Sequence, residues 1–151
     1  SCQRPTKCYL ISVEGDPALV AVAQSVHKEL KLSNINVVKG SFEVRLPEVL
    51  KSTGKLDLVF IDGNHHSKAL LTYIQQIIPH MSTEGILVID DIFWSSDMME
   101  GWEELCQKQW TKTTVLYYGI GFIFMGNIRP YELHLKWVDR WMKPWGIRHA
   151  I

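Results

Sequence analysis

The chain has 151 residues, 46% of them hydrophobic and 21% charged, which fits a single globular domain with one core. Its 16 basic and 16 acidic residues cancel to a formal net charge of zero, which argues against a nucleic-acid binder. No apolar run reaches membrane-span length, no signal peptide opens the chain, and three cysteines (Cys2, Cys8, Cys106) without metal-ligand spacing point to a reducing, cytoplasmic setting.

In chain order, Tyr9 to Val13 is a short apolar run that ends at Glu14 and predicts a strand. Asp16-Pro17 then reads as a helix N-cap with proline at the first helical position. The helix is expected to run to about Leu32, with Leu19, Val22, Ala23, Val26 and Leu30 on one apolar face. Ile35 to Val38 predicts a second strand, closed by Gly40-Ser41-Phe42, and a short helix follows from about Glu43 to Lys51.

Leu56 to Ile61 predicts a third strand, which stops at Asp62 in the run IDGNHH. A helix from about Ser67 to Ile78 turns Leu70, Ile74, Ile77 and Ile78 toward the sheet, and Pro79 to Gly85 reads as a connector. The next strand, GILVID, ends at Asp90 and Asp91, and a helix from about Asp97 to Gln109 follows it, with Asp97 as its N-cap. Thr113 to Tyr117 and Phe122 to Met125 read as a closing hairpin around a Tyr118-Gly119-Ile120-Gly121 turn. After Pro130 the pattern changes: Tyr131 to Met142 reads as a helix that Pro144 stops, and three tryptophans (Trp137, Trp141, Trp145) crowd this end.

Strands alternating with helices predict an α/β fold with a mostly parallel sheet, helices on both faces and an antiparallel edge. The expected division is a domain over 1–130 and a Trp-rich helical tail over 131–151, packed on the body or on a partner subunit.

Ligands of open α/β sheets bind beyond the carboxyl ends of the strands, and here those ends carry acids. Glu14 can accept hydrogen bonds from ribose hydroxyls, or it can simply be a solvated acid at a helix N-terminus. Gly40-Ser41-Phe42 can border a ring, or it can be an ordinary strand-ending turn. Asp62, Asp90 and Asp91 offer three hard oxygen ligands suited to Mg²⁺ or Ca²⁺, against the plainer reading that Asp62 orients a backbone group and Asp91 caps a loop. His65 and His66 follow Asp62, and only one of them can point into a cleft as a general base. Gly119-Ile120-Gly121 does not open a nucleotide loop, because no helix follows it. No G-x-G-x-x-G follows a first strand, which counts against a nucleotide-dependent oxidoreductase.

Glu14 after YLISV, Gly40-Ser41-Phe42 after the next strand, IDGNHH and GILVIDD occur in an order that resembles the class I S-adenosylmethionine (SAM)-dependent methyltransferases, from about residue 8 to residue 126. The nearest likeness is to the small-molecule O-methyltransferases with an "IDGxH" strand end. The resemblance implies a Rossmann-like sheet and methyl transfer from SAM to an oxygen of a small-molecule acceptor. It implies cofactor contacts by Glu14, Gly40, Ser41, Phe42 and Asp62, with Glu14 on the ribose and Ser41 and Phe42 bordering the adenine. In the metal-dependent branch the ligands are an Asp at the first acid-tipped strand and an Asp-Asn pair after the next. The matching positions here are Asp62, Asp90 and Asp91, so Asp replaces the Asn, with Mg²⁺ as the cation. The place of that branch's catalytic lysine is taken by His65, the expected catalytic base.

The resemblance also marks a departure. The family's first strand and glycine-rich loop have no counterpart after SCQRPTK, so the chain resembles a methyltransferase lacking its N-terminal portion. With that place unfilled, the Tyr9 to Val13 strand has to pair directly with the Leu56 to Ile61 strand, or borrow a partner's strand, to satisfy its backbone. Poor cofactor binding by a chain beginning at Ser1 is the matching expectation. The alternative function is a non-catalytic interaction or dimerisation module, with a homodimer made plausible by the tail.

Overall fold

The computed structural model describes residues 8–126; the expected tail over 131–151 lies outside them. The chain divides into two units, one through Gly54 and one from Lys55 onward. The first unit contains strand β1 (Leu10–Glu14), helix α1 (Pro17–Glu29), strand β2 (Ile35–Lys39) and helix α2 (Phe42–Ser52). The second contains β3 (Leu56–Ile61), α3 (Ser67–Ile77), β4 (Met81–Ile89), α4 (Ser96–Cys106), β5 (Thr113–Tyr117) and β6 (Ile120–Phe124), with 3₁₀ turns at Ile78–His80 and Ile92–Trp94. No helix among the described residues is long and apolar enough to cross a membrane.

In the first unit, β1 and β2 run parallel, with Leu10 opposite Ile35 and Glu14 opposite Lys39. Asp16 caps α1 as the sequence predicts: its Oδ1 accepts from Ala18 N–H at 2.7 Å, and Pro17 opens the helix. The helix stops earlier than expected, because Lys31 turns to a left-handed φ of 56°. Its apolar face is largely uncovered. Leu19, Val22, Val26 and Leu30 are exposed, and Val20 is the buried residue of the helix. A two-stranded sheet and a second helix are too small a body to cover that stripe as well.

In the second unit the sheet order is β3-β4-β6-β5. β3 and β4 pair in parallel, and β6 pairs antiparallel with both β4 and β5. Within the units, β1 bonds to β2 and β3 to β4. These two parallel ladders each join the consecutive strands of one βαβ unit. β4 begins at Met81, earlier than the predicted Gly85, because the register shifts between Leu56 and Leu58 and lets Met81 pair with Leu56.

The core of this unit lies between the sheet and helices α3 and α4. Leu70, Ile74, Ile77, Leu87, Ile89, Ile92, Leu105 and Ile123 are all under 2% exposed. Burial of each contributes roughly 1.5–3 kcal/mol relative to exposure. Leu87 and Ile123 face each other across the β4–β6 ladder, so the central cross-strand pair is fully desolvated. Two positions further along, Gly121 lies opposite Ile89, and a side chain there would run into the Trp102 indole of α4. The missing side chain is what lets a tryptophan lie against the sheet.

The closing hairpin forms with a shorter turn than predicted. Tyr118 and Gly119 alone make the bend, with φ of 50° and 85°, and β6 resumes at Ile120. Positive φ at both central residues gives the twist that two-residue hairpins need.

Candidate functional site

The acid-tipped strands β3 and β4 lie side by side, with Ile61 opposite Ile89 at their carboxyl ends. Asp62 follows β3 directly. Asn64 then takes a left-handed φ of 48°, and His66 N–H donates to its carbonyl at 2.6 Å. This tight turn returns His65 toward the strand end before α3 begins. Asp91 also sits in the left-handed region, at φ 55°. The result is a cluster: one ligand atom each from Asp62, His65 and Asp91, all within 4.8 Å of one another. His65 Nε2 is 3.7 Å from Asp91 Oδ2, and the imidazole lies 4.8 Å from the Trp94 ring, centroid to centroid.

Asp90 stands outside this cluster. Its backbone N–H continues the ladder to Ile61 O at 2.9 Å, and its Oδ1 accepts from Asp91 N–H at 2.8 Å. It therefore supports the bend that aims Asp91. The bend is tied down from the hairpin as well: Ile92 N–H donates to Gly119 O at 2.8 Å. The glycines dismissed as a nucleotide loop thus have structural work, Gly119 holding the turn after Asp91 and Gly121 admitting Trp102.

His66 turns away, with its side chain 79% exposed and its Nδ1 3.7 Å from Asp97 Oδ2. Asp97 is not the N-cap of α4, a correction to the sequence reading. Ser95 is, its Oγ accepting from Met98 N–H at 3.1 Å. Asp97 instead reaches the first turn of α3, where Ser67 N–H donates to Oδ2 at 2.8 Å and Ser67 Oγ–H donates to Oδ1 at 2.6 Å. The two helices approach closely here: a Cβ on Gly101 would come within 2.9 Å of Ser67 Cβ. The Ser67 hydroxyl and then its N–H hold the Asp97 carboxyl below its ordinary value, and His66 adds a smaller pull the same way. A depressed folded-state value gives stability that is full above the unfolded carboxylate range and fades as pH falls through the folded value. Acidification from about pH 5 to below pH 3 is thus expected to destabilise the native protein more than Asp97→Ala, as read by urea midpoints across that range.

In the first unit, Glu14 and Gly40 sit at the ends of adjacent strands, and Gly40 N–H donates to Glu14 O at 2.9 Å. Glu14 Oε1 accepts from Asp16 N–H at 2.7 Å, so one carboxylate oxygen orders the entrance to α1. Gly40 has φ 142°, and Arg45 folds over it to donate from Nε to Lys39 O at 3.0 Å. Ser41 is the N-cap residue of α2 with no side-chain cap bond, and Phe42 is the first residue of that helix. Trp94 and Asn64 were not singled out by sequence reasoning. Trp94 follows the second acid-tipped strand, but nothing in its spacing shows that its ring meets His65.

A family model described as a methyltransferase domain matches residues 2–92. The chain is a member of that methyltransferase domain family. Solved structures show the same fold in relatives of low identity. An SAH-bound methyltransferase from Podospora anserina superposes with a TM-score of 0.64 at 18% identity, covering 78% of this chain and 61% of its own. A Streptomyces achromogenes O-methyltransferase of tomaymycin synthesis, in complex with SAM, gives 0.63 at 18%, covering 80% and 62%. A Bacillus cereus O-methyltransferase in complex with SAH gives 0.59 at 15%, covering 77% and 61%. This methyltransferase-family chain therefore spans about three fifths of the length of these structures. No curated protein sequence matches it. The Rossmann-like α/β class read from the sequence is the class that these structures share.

Proposed function

We propose that this protein transfers a methyl group from SAM to an oxygen of a small-molecule acceptor. The observation that carries the reading is the convergence of Asp62, His65 and Asp91 at the carboxyl ends of β3 and β4, in a chain of the methyltransferase family. Bound SAM supplies an electrophilic methyl on a sulfonium centre. The chain's part is to bind, align and deprotonate. Glu14 is suited to the ribose hydroxyls, and Gly40, Ser41 and Phe42 to the adenine, which are roles carried over from the family pattern. His65 takes the acceptor's proton onto a ring nitrogen. Asp91, 3.7 Å from Nε2, stabilises the imidazolium that results, and the Trp94 ring limits where the imidazole can turn. In-line displacement needs little else beyond alignment and exclusion of water.

A second reading of the same cluster is favoured by its three donors. Two carboxylates and an imidazole within 4.8 Å can hold a divalent cation, which lowers the pKa of an oxygen acceptor. The ligand set would then be Asp62, His65 and Asp91 in place of the expected Asp62, Asp90 and Asp91. An imidazole ligand favours Mn²⁺ or Zn²⁺ over Mg²⁺. The partner is in both cases a small-molecule acceptor, and a homodimer is compatible with either.

The test uses the protein as its gene encodes it. Labelled methyl transfer from SAM is measured across catechol, phenol and carboxylate acceptors, with and without a chelator. Transfer to one oxygen class, with SAM affinity falling about tenfold or more in Glu14→Ala, is expected. Activity that survives chelation assigns His65 as base; activity lost on chelation and restored by Mn²⁺ assigns it as ligand. Neither SAM binding nor transfer would leave the interaction-module reading in its place.

A further inference from the structure

Away from the acid cluster, α3 and α4 leave a groove of about 370 Å³ between them. Its floor is Ile74, Ile78 and Leu105, its walls include Leu71 and Trp110, and Glu104 and Lys108 sit at its rim, bonded to each other at 2.6 Å. The floor is apolar, yet nothing among the described residues fills it. Three observations point to one occupant.

The first is where the described chain ends. Met125 N–H donates to Gly85 O, and Gly126 packs against the backbone of Thr83 and Glu84. That is the amino end of β4, a few residues after Ile78 and Pro79 of the groove. Lys112 N–H, just past Trp110, donates to Phe124 O at the same end. Residues 127–130 can span at most about 14 Å, which suits a short link from that point to the groove. The second is the sequence that follows. Leu133, Trp137 and Trp141 recur every four residues, the spacing that puts three large apolar side chains on one helical face. The third is charge. Residues 127–151 carry five basic residues (Arg129, Lys136, Arg140, Lys143, Arg148) against Glu132 and Asp139. Helix α4 carries Asp97, Glu100, Glu103 and Glu104 and no basic residue, and Glu100 and Glu104 stand one turn apart on the side of the rim.

We infer that the Trp-rich segment 131–142 of the same chain docks in the α3–α4 groove, its tryptophans over Leu71 and Ile78 and its cations along α4. The groove it occupies is separate from the acid cluster. Zero-length carbodiimide cross-linking of the whole chain tests this. Cross-links from Lys136 or Lys143 to Glu100, Glu103 or Glu104 are expected within single chains in a mixture of isotope-labelled and unlabelled protein. A double substitution at partly exposed wall positions, Leu71→Glu with Gln75→Glu, is expected to leave the fold intact by circular dichroism. It should raise tryptic cleavage after Lys136 and Arg140 by about tenfold or more, since cleavage follows the open population. Cross-links that join labelled to unlabelled chains would assign the groove to a second copy and overturn the intrachain reading. So would cross-links to other faces, or equal cleavage rates in the two proteins.

Discussion

His65→Gln is expected to lower methyl-transfer turnover by about 10²–10⁴-fold, the range for loss of a positioned general base. Glutamine keeps a hydrogen-bonding group of similar reach but cannot accept a proton near neutrality. SAM affinity should not move, since His65 is not among the expected cofactor contacts Glu14, Gly40, Ser41, Phe42 and Asp62. The loss therefore belongs in kcat, with the cofactor dissociation constant unchanged by calorimetry. Added imidazole should restore part of the rate in a His65→Ala variant, where the ring's place beside Trp94 is vacated. Asp91→Asn should show a smaller loss of the same kind, because it removes the charge that faces the imidazolium at 3.7 Å. A His65→Gln enzyme with native turnover would remove His65 from the mechanism, whether as base or as ligand.

The second large effect is on stability. Trp102 is 6% exposed, and its indole occupies the space that a Gly121 side chain would need. Trp102→Ala is expected to cost about 3–5 kcal/mol, since it combines lost burial with a cavity against the sheet. Gly121→Ala should cost about 1–3 kcal/mol by overpacking, because its methyl meets two further ring carbons at 2.8 Å. The two positions compete for one volume, so their effects should not add. Gly121→Ala in a Trp102→Leu background is expected to be nearly neutral, a coupling of about 1–3 kcal/mol in denaturant unfolding. Strict additivity would mean that the indole does not lie where Gly121 admits it.

Much of this arrangement is legible in the sequence, and the rest fails for identifiable reasons. Apolar runs tipped by Asp62 and Asp90 announce two neighbouring strands with a shared ligand edge. Asp16-Pro17 announces α1. What local pattern cannot say is which of two adjacent aspartates faces the site. Asp91 is aimed by a left-handed residue and by a hydrogen bond from the next residue to Gly119, far along the chain. His65 is likewise returned by the turn at Asn64. The exchange of Ser95 for Asp97 as the cap of α4 has the same origin, since both are good capping residues and the choice is made by Ser67 on another helix. The apolar stripe of α1 is correctly read as a stripe. Periodicity identifies such a face and not what covers it, and most of this one is exposed.

The left-handed backbone at Asp91 has one more consequence. A side chain in that region costs on the order of 1 kcal/mol relative to glycine, although aspartate bears it better than most residues. Selection for durability alone would favour glycine there, at the loss of the carboxylate. The carboxylate nearest the imidazole thus occupies a position where robustness and chemistry pull in opposite directions. Position 91 is therefore a sensitive place to ask, in a newly found relative, whether the chemistry has been kept.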